Sequence, residues 1–362
     1  MFQEKNSFMN LREYTINKFP NAKIVGESVK SFSSINEELN ALKNGVGLRI
    51  SLNSTIVELK GKDVLDYLHR VSTNAVTDLK QNEVRTTLFL NEKGKLIDRT
   101  LLISLEDKFI LLGSEDKENR LFSWINKFII SDDVASSLVA DKYSIVQMMG
   151  NQCDSFLTLF LGKDGSEIEI NTIKRFDVDG FTIYVLHVKG PNNNSVYKLL
   201  VEKNKWVDFI DYLFTCNSVF DLSLIGDDAF EQFRIENGIP VFPNEINDSI
   251  NPHEINLVQD INFKKGCYIG QEVISRLETY DKVQRKLMTI VLENQFIEQL
   301  PATIYDEQGT EIGEVTSISN YDNKNSLGLA LVRKKIVLNG SKFFVNGSGE
   351  KKSVKIVELK NQ

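Results

Sequence analysis

The sequence predicts a mixed α+β protein in several units, the last of them a small antiparallel barrel or sandwich. Three observations carry that reading. At 362 residues the chain exceeds what one hydrophobic core normally serves. Up to about residue 285, strand-like alternation and helix-like periodicity follow one another as strand, helix, hairpin, strand, helix. Beyond Arg285 the pattern changes to short strands separated by turn residues.

Composition narrows the function classes. With 41% hydrophobic and 26% charged residues, and no apolar run near the roughly 18 residues a membrane helix needs, the chain reads as globular, soluble and without a membrane partner. The N-terminus lacks the charged-then-apolar pattern of a secretion signal, and Glu4 and Glu13 argue against an organelle presequence, so a cytoplasmic location is expected. A net charge of −7 argues against a surface built to grip nucleic acid. Cys153, Cys216 and Cys267 lie far apart with no C-x-x-C pairing, which suggests neither a zinc site nor a disulfide framework. An Fe–S cluster usually takes four cysteine ligands, so no permanently bound metal is expected. His69, His187 and His253 are equally scattered.

Taken in order, residues 1 to about 45 are a polar lead-in with helical pattern at Ile35 to Leu42. Alternation predicts a strand at Ser54 to Leu59, and Val64, Leu65, Leu68 and Val71 form one apolar helix stripe. Val84 to Leu90 and Leu96 to Ile103 flank Asn91-Glu92-Lys93-Gly94-Lys95, a turn composition, and so predict a β-hairpin. A strand at Lys108 to Leu112 leads to a helix at Glu115 to Ile130, where Leu121, Trp124, Ile125, Phe128 and Ile129 share one face. A second α+β unit follows, with strands near Tyr143 to Met148, Ile168 to Phe176 and Thr182 to Val188, then a helix carrying Trp206, Ile210, Leu213 and Phe214. Asp227 begins another helix, acidic in its first turn, that stops at Asn237-Gly238 before Pro240. The barrel strands are expected at Lys286 to Leu292, Ala302 to Tyr305, Glu311 to Ser319, Ser326 to Val332 and Lys342 to Phe344. Boundaries are set at 1–140, 141–225, 226–285 and 286–362.

The segment Lys264 to Lys286 concentrates chemistry. It holds six Lys or Arg against three acids, enough local positive charge for a carboxylate-bearing small molecule. Gly266 and Gly270 flank Cys267, Tyr268 and Ile269, so the backbone can turn sharply on either side of the thiol. Val273, Ile274 and Leu277 recur at helical spacing, which places Cys267 just ahead of a helix N-terminus. There unpaired N–H groups, with Lys264 and Lys265, favour the thiolate. The alternative is a buried, inert cysteine.

Lys265-Gly266-Cys267-Tyr268-Ile269-Gly270-Gln271-Glu272 resembles the signature octapeptide of the YgfZ family, folate-binding relatives of the glycine-cleavage aminomethyltransferase (T-protein) whose mitochondrial members serve iron–sulfur assembly. Other stretches resemble the same superfamily: Gly61-Lys62-Asp63 with Leu68 and Thr73-Asn74, then Asn91-Glu92-Lys93-Gly94 and Asp98. In the aminomethyltransferase that hairpin carries a Gly-Gly pair and two aspartates, one of which assists chemistry near the folate nitrogen. Here Lys95 and Arg99 stand in place of the second glycine and the second aspartate. The Tyr-Thr-Gly-Glu run of the aminomethyltransferase is missing from 140–220. Arg234-Ile235-Glu236-Asn237-Gly238-Ile239-Pro240 resembles a motif whose glutamate contacts the pterin, a contact for which a carboxylate is suited, since it accepts adjacent N–H donors in bidentate fashion.

The resemblance implies an aminomethyltransferase-like fold, with two ferredoxin-like α+β units around a central cavity and a C-terminal β-barrel. It implies tetrahydrofolate or a folate derivative as ligand, with Glu236, Arg234, Asp98 and Tyr268 as contacts, and Fe–S client or assembly proteins as partners. The leading expectation is a tetrahydrofolate-binding protein that assists Fe–S cluster assembly or repair, with Cys267 as the functional thiol. The alternative is a tetrahydrofolate-dependent aminomethyl or methyl transferase dependent on Asp98; a third reading is a redox sensor acting through Cys267. Taken without the resemblance, Asp98 also reads as an acid on the solvent face of a strand, and Arg234 with Glu236 as a surface ion pair.

Overall fold

The computed structural model describes residues 9–216, 219–293, 299–320, 325–336, 342–347 and 350–357. The chain begins with α1 (Leu11–Lys18), the ribbon β1 (Lys23–Val25) and β2 (Ser28–Ser31), and α2 (Ile35–Asn44). Both helices start at capping boxes, Asn10 with Glu13 and Ser34 with Glu37, which satisfy first-turn N–H groups from side chains in the local sequence. After β3 (Val46–Ser51) come β4 (Ile56–Lys60), α3 (Val64–Val71), the hairpin β5 (Val84–Leu90) and β6 (Leu96–Ser104), β7 (Phe109–Leu112), α4 (Arg120–Phe128) and β8 (Ala135–Leu138). Five of these strands form an antiparallel sheet in the order β5-β6-β7-β4-β8. The outer face of that sheet packs on α3 and α4 through Val57, Leu59, Leu68, Phe89, Leu102, Trp124 and Ile125.

Next come β9 (Tyr143–Met149), α5 (Cys153–Leu161), the short α6 (Lys163–Ser166), β10 (Thr172–Val178), β11 (Phe181–Lys189), β12 (Ser195–Glu202), α7 (Trp206–Cys216) and β13 (Leu222–Leu224). They form a six-stranded sheet in the order β10-β11-β12-β9-β3-β13. β3 therefore lies inside the second sheet, antiparallel to β9 and parallel to β13. The boundary expected at 140 does not separate the two sheets: residues 46–51 belong with 143–224. Val46, Leu48 and Ile50 pack with Val146, Met148 and Leu199 against Phe156, Trp206, Phe209 and Leu213 of α5 and α7.

α8 (Asp227–Glu236), two 3-10 turns at Pro252–Ile255 and Val258–Asp260, and α9 (Gln271–Thr279) bridge the sheets to a closed barrel. The barrel consists of β14 (Arg285–Glu293), β15 (Ala302–Asp306), β16 (Glu311–Asn320), β17 (Asn325–Arg333), β18 (Phe343–Gly347) and β19 (Glu350–Val357). The expected α+β class and C-terminal barrel are both present.

Differences from the sequence expectation have local causes. α4 starts at Arg120 rather than Glu115, because the Asp116 carboxylate accepts the backbone N–H groups of Glu118 and Arg120 and closes a turn ahead of the helix. β3, β12 and α5 lie outside the sequence expectation; Val46, Leu48 and Ile50 alternate with Gly47, Arg49 and Ser51, so β3 carries a strand signal in the short stretch between the polar lead-in and the strand expected at Ser54. The expected turn at Asn339-Gly340 and part of the Asn320–Asn325 loop lie outside the described residues.

Candidate functional site

The two sheets face each other, joined along one edge where Val84 N–H donates to Asn171 O and Ile173 N–H to Asn82 O. Between them lies an apolar layer of Ile56, Val84, Ile103, Ile110, Ile145, Leu186 and Leu200. A second apolar cluster, with Leu42, Met149, Val196, Ile225 and Phe233, closes the far end, and Leu101 packs against both. Alternation on β9 puts Gln147 between Ile145 and Met149, and on β12 it puts Lys198 between Leu200 and Val196. Arg49 and Lys198 are the cross-strand partners of Gln147 on either side. A row of three polar residues on adjacent strands thus runs between two apolar layers.

Other elements surround this row, and the space they bound between the sheets is called the chamber. Arg49 stacks its guanidinium 4.2 Å from the centre of the Phe230 ring of α8 and meets Glu115 at 3.4 Å and Asp227 at 3.8 Å. From the opposite sheet comes Arg99, whose Nε donates to Asp260 at 2.7 Å. Lys198 keeps some accessible surface, yet burial lowers its pKa to about 8, with the charges of Arg49 and Arg99 lowering it further and Glu115 opposing them. Lys198 is thus partly enclosed, touched by water and faced by charges from both sheets.

Asp98, the neighbour of Arg99, points to the other face of its strand. It is 3% exposed, and its carboxylate accepts Ser114 Oγ–H at 2.6 Å, Ser114 N–H at 3.0 Å and Arg99 N–H at 2.8 Å. The solvent-face reading of Asp98 is therefore incorrect. Burial raises its pKa to about 6 against those three donors. A Cβ on Gly113 would fall 2.4 Å from Asp98 Oδ2, so glycine is needed there. Asp98 thus fixes the 113–116 loop that presents Glu115 to the chamber. Lys95 and Arg99 both find acids in the 252–260 segment: Lys95 reaches Glu254 at 3.4 Å and Arg99 reaches Asp260.

Arg234 is fully buried, not a surface residue. Its guanidinium donates to Glu245 at 3.1 Å, to Glu231, to Ser317 Oγ and to Ile239 O. Glu245 in turn accepts the hydroxyls of Thr316 and Ser317, both at 2.6 Å, so the network fastens α8 to β16 of the barrel. Glu236, at the end of α8, holds Lys43 of α2 at 2.6 Å and accepts from Gln232 at 3.0 Å.

In the octapeptide, Cys267 is exposed, four residues ahead of α9. The reading of it as a buried, inert thiol does not hold. Lys265 turns inward, where its ammonium donates to the carbonyls of Ser72 at 2.6 Å, Asn74 at 3.0 Å and His69, and lies 5.3 Å from the Tyr268 ring; burial lowers its pKa to about 8. Tyr268 packs with Leu88, Leu90 and Leu96 of the hairpin, its hydroxyl without a hydrogen-bond partner among the described residues, and burial pushes its pKa up to about 12. Gly270, at φ +82°, lies so close to the hairpin that a Cβ would meet Asn91 O at 2.7 Å. Around Gly266 the space is open, so its lack of a side chain answers no steric need. Gln271 is half-buried, and Glu272 pairs with Arg276 at the surface at 2.7 Å.

Sequence reasoning missed the Arg49–Gln147–Lys198 row. The signal available was a polar residue inside each of three otherwise apolar strands, Gly47-Leu48-Arg49-Ile50, Val146-Gln147-Met148 and Tyr197-Lys198-Leu199. Among the described residues no group of three or more His, Cys, Asp or Glu could hold a metal ion, and no helix is long and apolar enough to cross a membrane.

Residues 2–265 match the family model described as the GCVT N-terminal domain. Sequence relatives include the aminomethyltransferase of Staphylococcus carnosus, 25% identical over 292 residues that cover 79% of this chain and 78% of the relative. That of Staphylococcus epidermidis is 24% identical over 335 residues, 91% of this chain and 90% of the relative. Among solved structures, the glycine cleavage system aminomethyltransferase T from Bartonella henselae is similar with a TM-score of 0.81 over 98% of each chain, at 16% identity. That likeness speaks for the fold, and the family model covers well over half of the sequence: the chain belongs to the GCVT-domain family, in the aminomethyltransferase or T-protein superfamily.

Proposed function

We propose that this protein binds tetrahydrofolate or a folate derivative in the chamber between the sheets and transfers a one-carbon unit between it and a second small molecule. The observation that carries the reading is family membership over residues 2–265 together with relatives named aminomethyltransferase. It favours the transferase alternative over Fe–S assembly. The residues present suit the ligand. Phe230 offers a half-buried aromatic wall, Arg49, Arg99 and Lys198 offer positive charge to carboxylates, and Glu236 offers an acceptor for the N–H groups of a pterin once Lys43 is displaced. Tetrahydrofolate supplies the ring nitrogens that carry the one-carbon unit. Asp98 holds Ser114 and so positions Glu115; Arg234 keeps α8, and with it Phe230 and Glu236, seated on the barrel.

The test is tetrahydrofolate binding by calorimetry. Glu236→Ala and Phe230→Ala are each expected to weaken it at least tenfold while the fold is kept; unchanged binding in both would remove the ligand from this chamber. A second reading, assistance to Fe–S clients through Cys267, is favoured by the exposure of that thiol within the YgfZ-like octapeptide. Cys267→Ala in a strain assayed for Fe–S enzyme activities decides it: lost activity with unchanged folate binding supports the reading, and full activity ends it.

A further inference from the structure

Three cations meet in the chamber, and two of them have acids. Arg99 has Asp260, and Arg49 has Glu115 and Asp227. Lys198 differs. Among the described residues its ammonium bonds the neutral amide oxygen of Gln147, at 3.2 Å, and no acid. The charged groups that face it are Arg49 from β3 and Arg99 from β6, which repel it, and Glu115 from the 113–116 loop, which attracts it but is already shared with Arg49. Lys60 and Lys108, by contrast, both reach Glu58, and Lys265 has three carbonyl acceptors. An under-compensated cation set between two apolar layers costs stability unless something else neutralises it.

We propose that Lys198 receives the carboxylate of the molecule that enters the chamber, so that the ligand class is an organic acid rather than a simple amine. The inference deepens the folate reading and rests on it only if the carboxylate is that of the folate's own glutamate; a separate small acid presents the same chemistry. Lys198, at a pKa of about 8 without ligand, regains its proton affinity when the anion binds. Above that pH binding takes up a proton, and affinity falls about tenfold per pH unit.

The experiment uses the intact protein and competitive acetylation with acetic anhydride, reading the Lys198 peptide by mass spectrometry across pH. The probes are folinate, free glutamate, and 6-methyltetrahydropterin, which has the ring but no carboxylate. The free protein is expected to show a midpoint near pH 8, and a carboxylate probe to move it up by about one unit or more, as a nearby opposite charge does. A shift with folinate and not with glutamate assigns the carboxylate to the folate. A shift with glutamate supports the proposal even where folinate does not bind, a result that would sink the folate reading alone. No shift with either acid, or an equal shift with 6-methyltetrahydropterin, overturns the proposal. For the probe that moves the midpoint, Lys198→Gln is expected to weaken binding about tenfold or more at pH 7, while Lys198→Arg keeps it within about threefold. Equal losses in the two variants would also overturn it.

Discussion

Arg234 and Lys198 are both cations inside the protein, and they are built to opposite rules. Every direction in which the Arg234 guanidinium points has an acceptor, two of them carboxylates, and Glu245 beside it is equally enclosed. Lys198 has one neutral partner, two like charges facing it and some contact with water. A satisfied network docks one element on another, whereas an unsatisfied charge in a concavity awaits a molecule. Resemblance alone had assigned Arg234 to the ligand; the count of its partners assigns it to the joint between α8 and the barrel.

The contrast can be broken or sharpened by substitution. Arg234→Met leaves Glu245 enclosed without its cation and is expected to cost about 3–5 kcal/mol in urea unfolding. A loss under about 1 kcal/mol would show that the network is not structural. Asp98 comes next. Folding raises its pKa from 3.8 to about 6, so the folded state holds a proton that the unfolded state has released between those values. Its stabilisation is complete below about pH 4 and is lost as pH rises through about 6, a change of up to about 3 kcal/mol. The difference in stability between wild type and Asp98→Asn, followed from pH 4 to 7, should carry that slope; a flat difference would contradict the buried carboxylate. Lys198→Met should act in the reverse sense to Arg234→Met and raise stability at pH 7 by about 1 kcal/mol, the low end for an uncompensated buried polar group because the side chain keeps some water contact. Destabilisation would mean that Lys198 is a structural partner after all. The smallest effect is expected for Cys267→Ala, within about 0.5 kcal/mol of wild type, since an exposed loop thiol contributes little packing.

Much of the fold was legible where one face of an element is wet. The hairpin 84–104 and the stripe of Leu121, Trp124 and Ile125 formed within a few residues of expectation, as did five of the barrel's six strands, β19 having no counterpart in the expectation. β3 alternates as a strand does, but local pattern says nothing of its partners 143–149 and 222–224, distant in the chain, and so the membership of the second sheet was illegible. At the site, adjacency hid the geometry. Asp98 and Arg99 are one residue apart, which on a strand means opposite faces, so the residue that reaches the chamber is Arg99 and the one that braces the loop is Asp98. Exposure of Cys267 and the helix after Gly270 were readable from the glycines and the 271–277 periodicity. The three carbonyls held by Lys265 were not, since backbone acceptors leave no mark in a sequence.

The placement of β3 also bears on how the chain is made. Synthesis delivers residues 46–51 early, but their neighbour on one side, 143–149, follows only after the whole five-stranded sheet, and the other, 222–224, comes later still. At ribosomal rates of roughly 5–20 residues per second, an apolar segment waits for seconds with both edges unpaired. A nascent chain stalled before residue 143 is therefore expected to keep 46–51 open to protease and to chaperone, however well 56–138 has already folded.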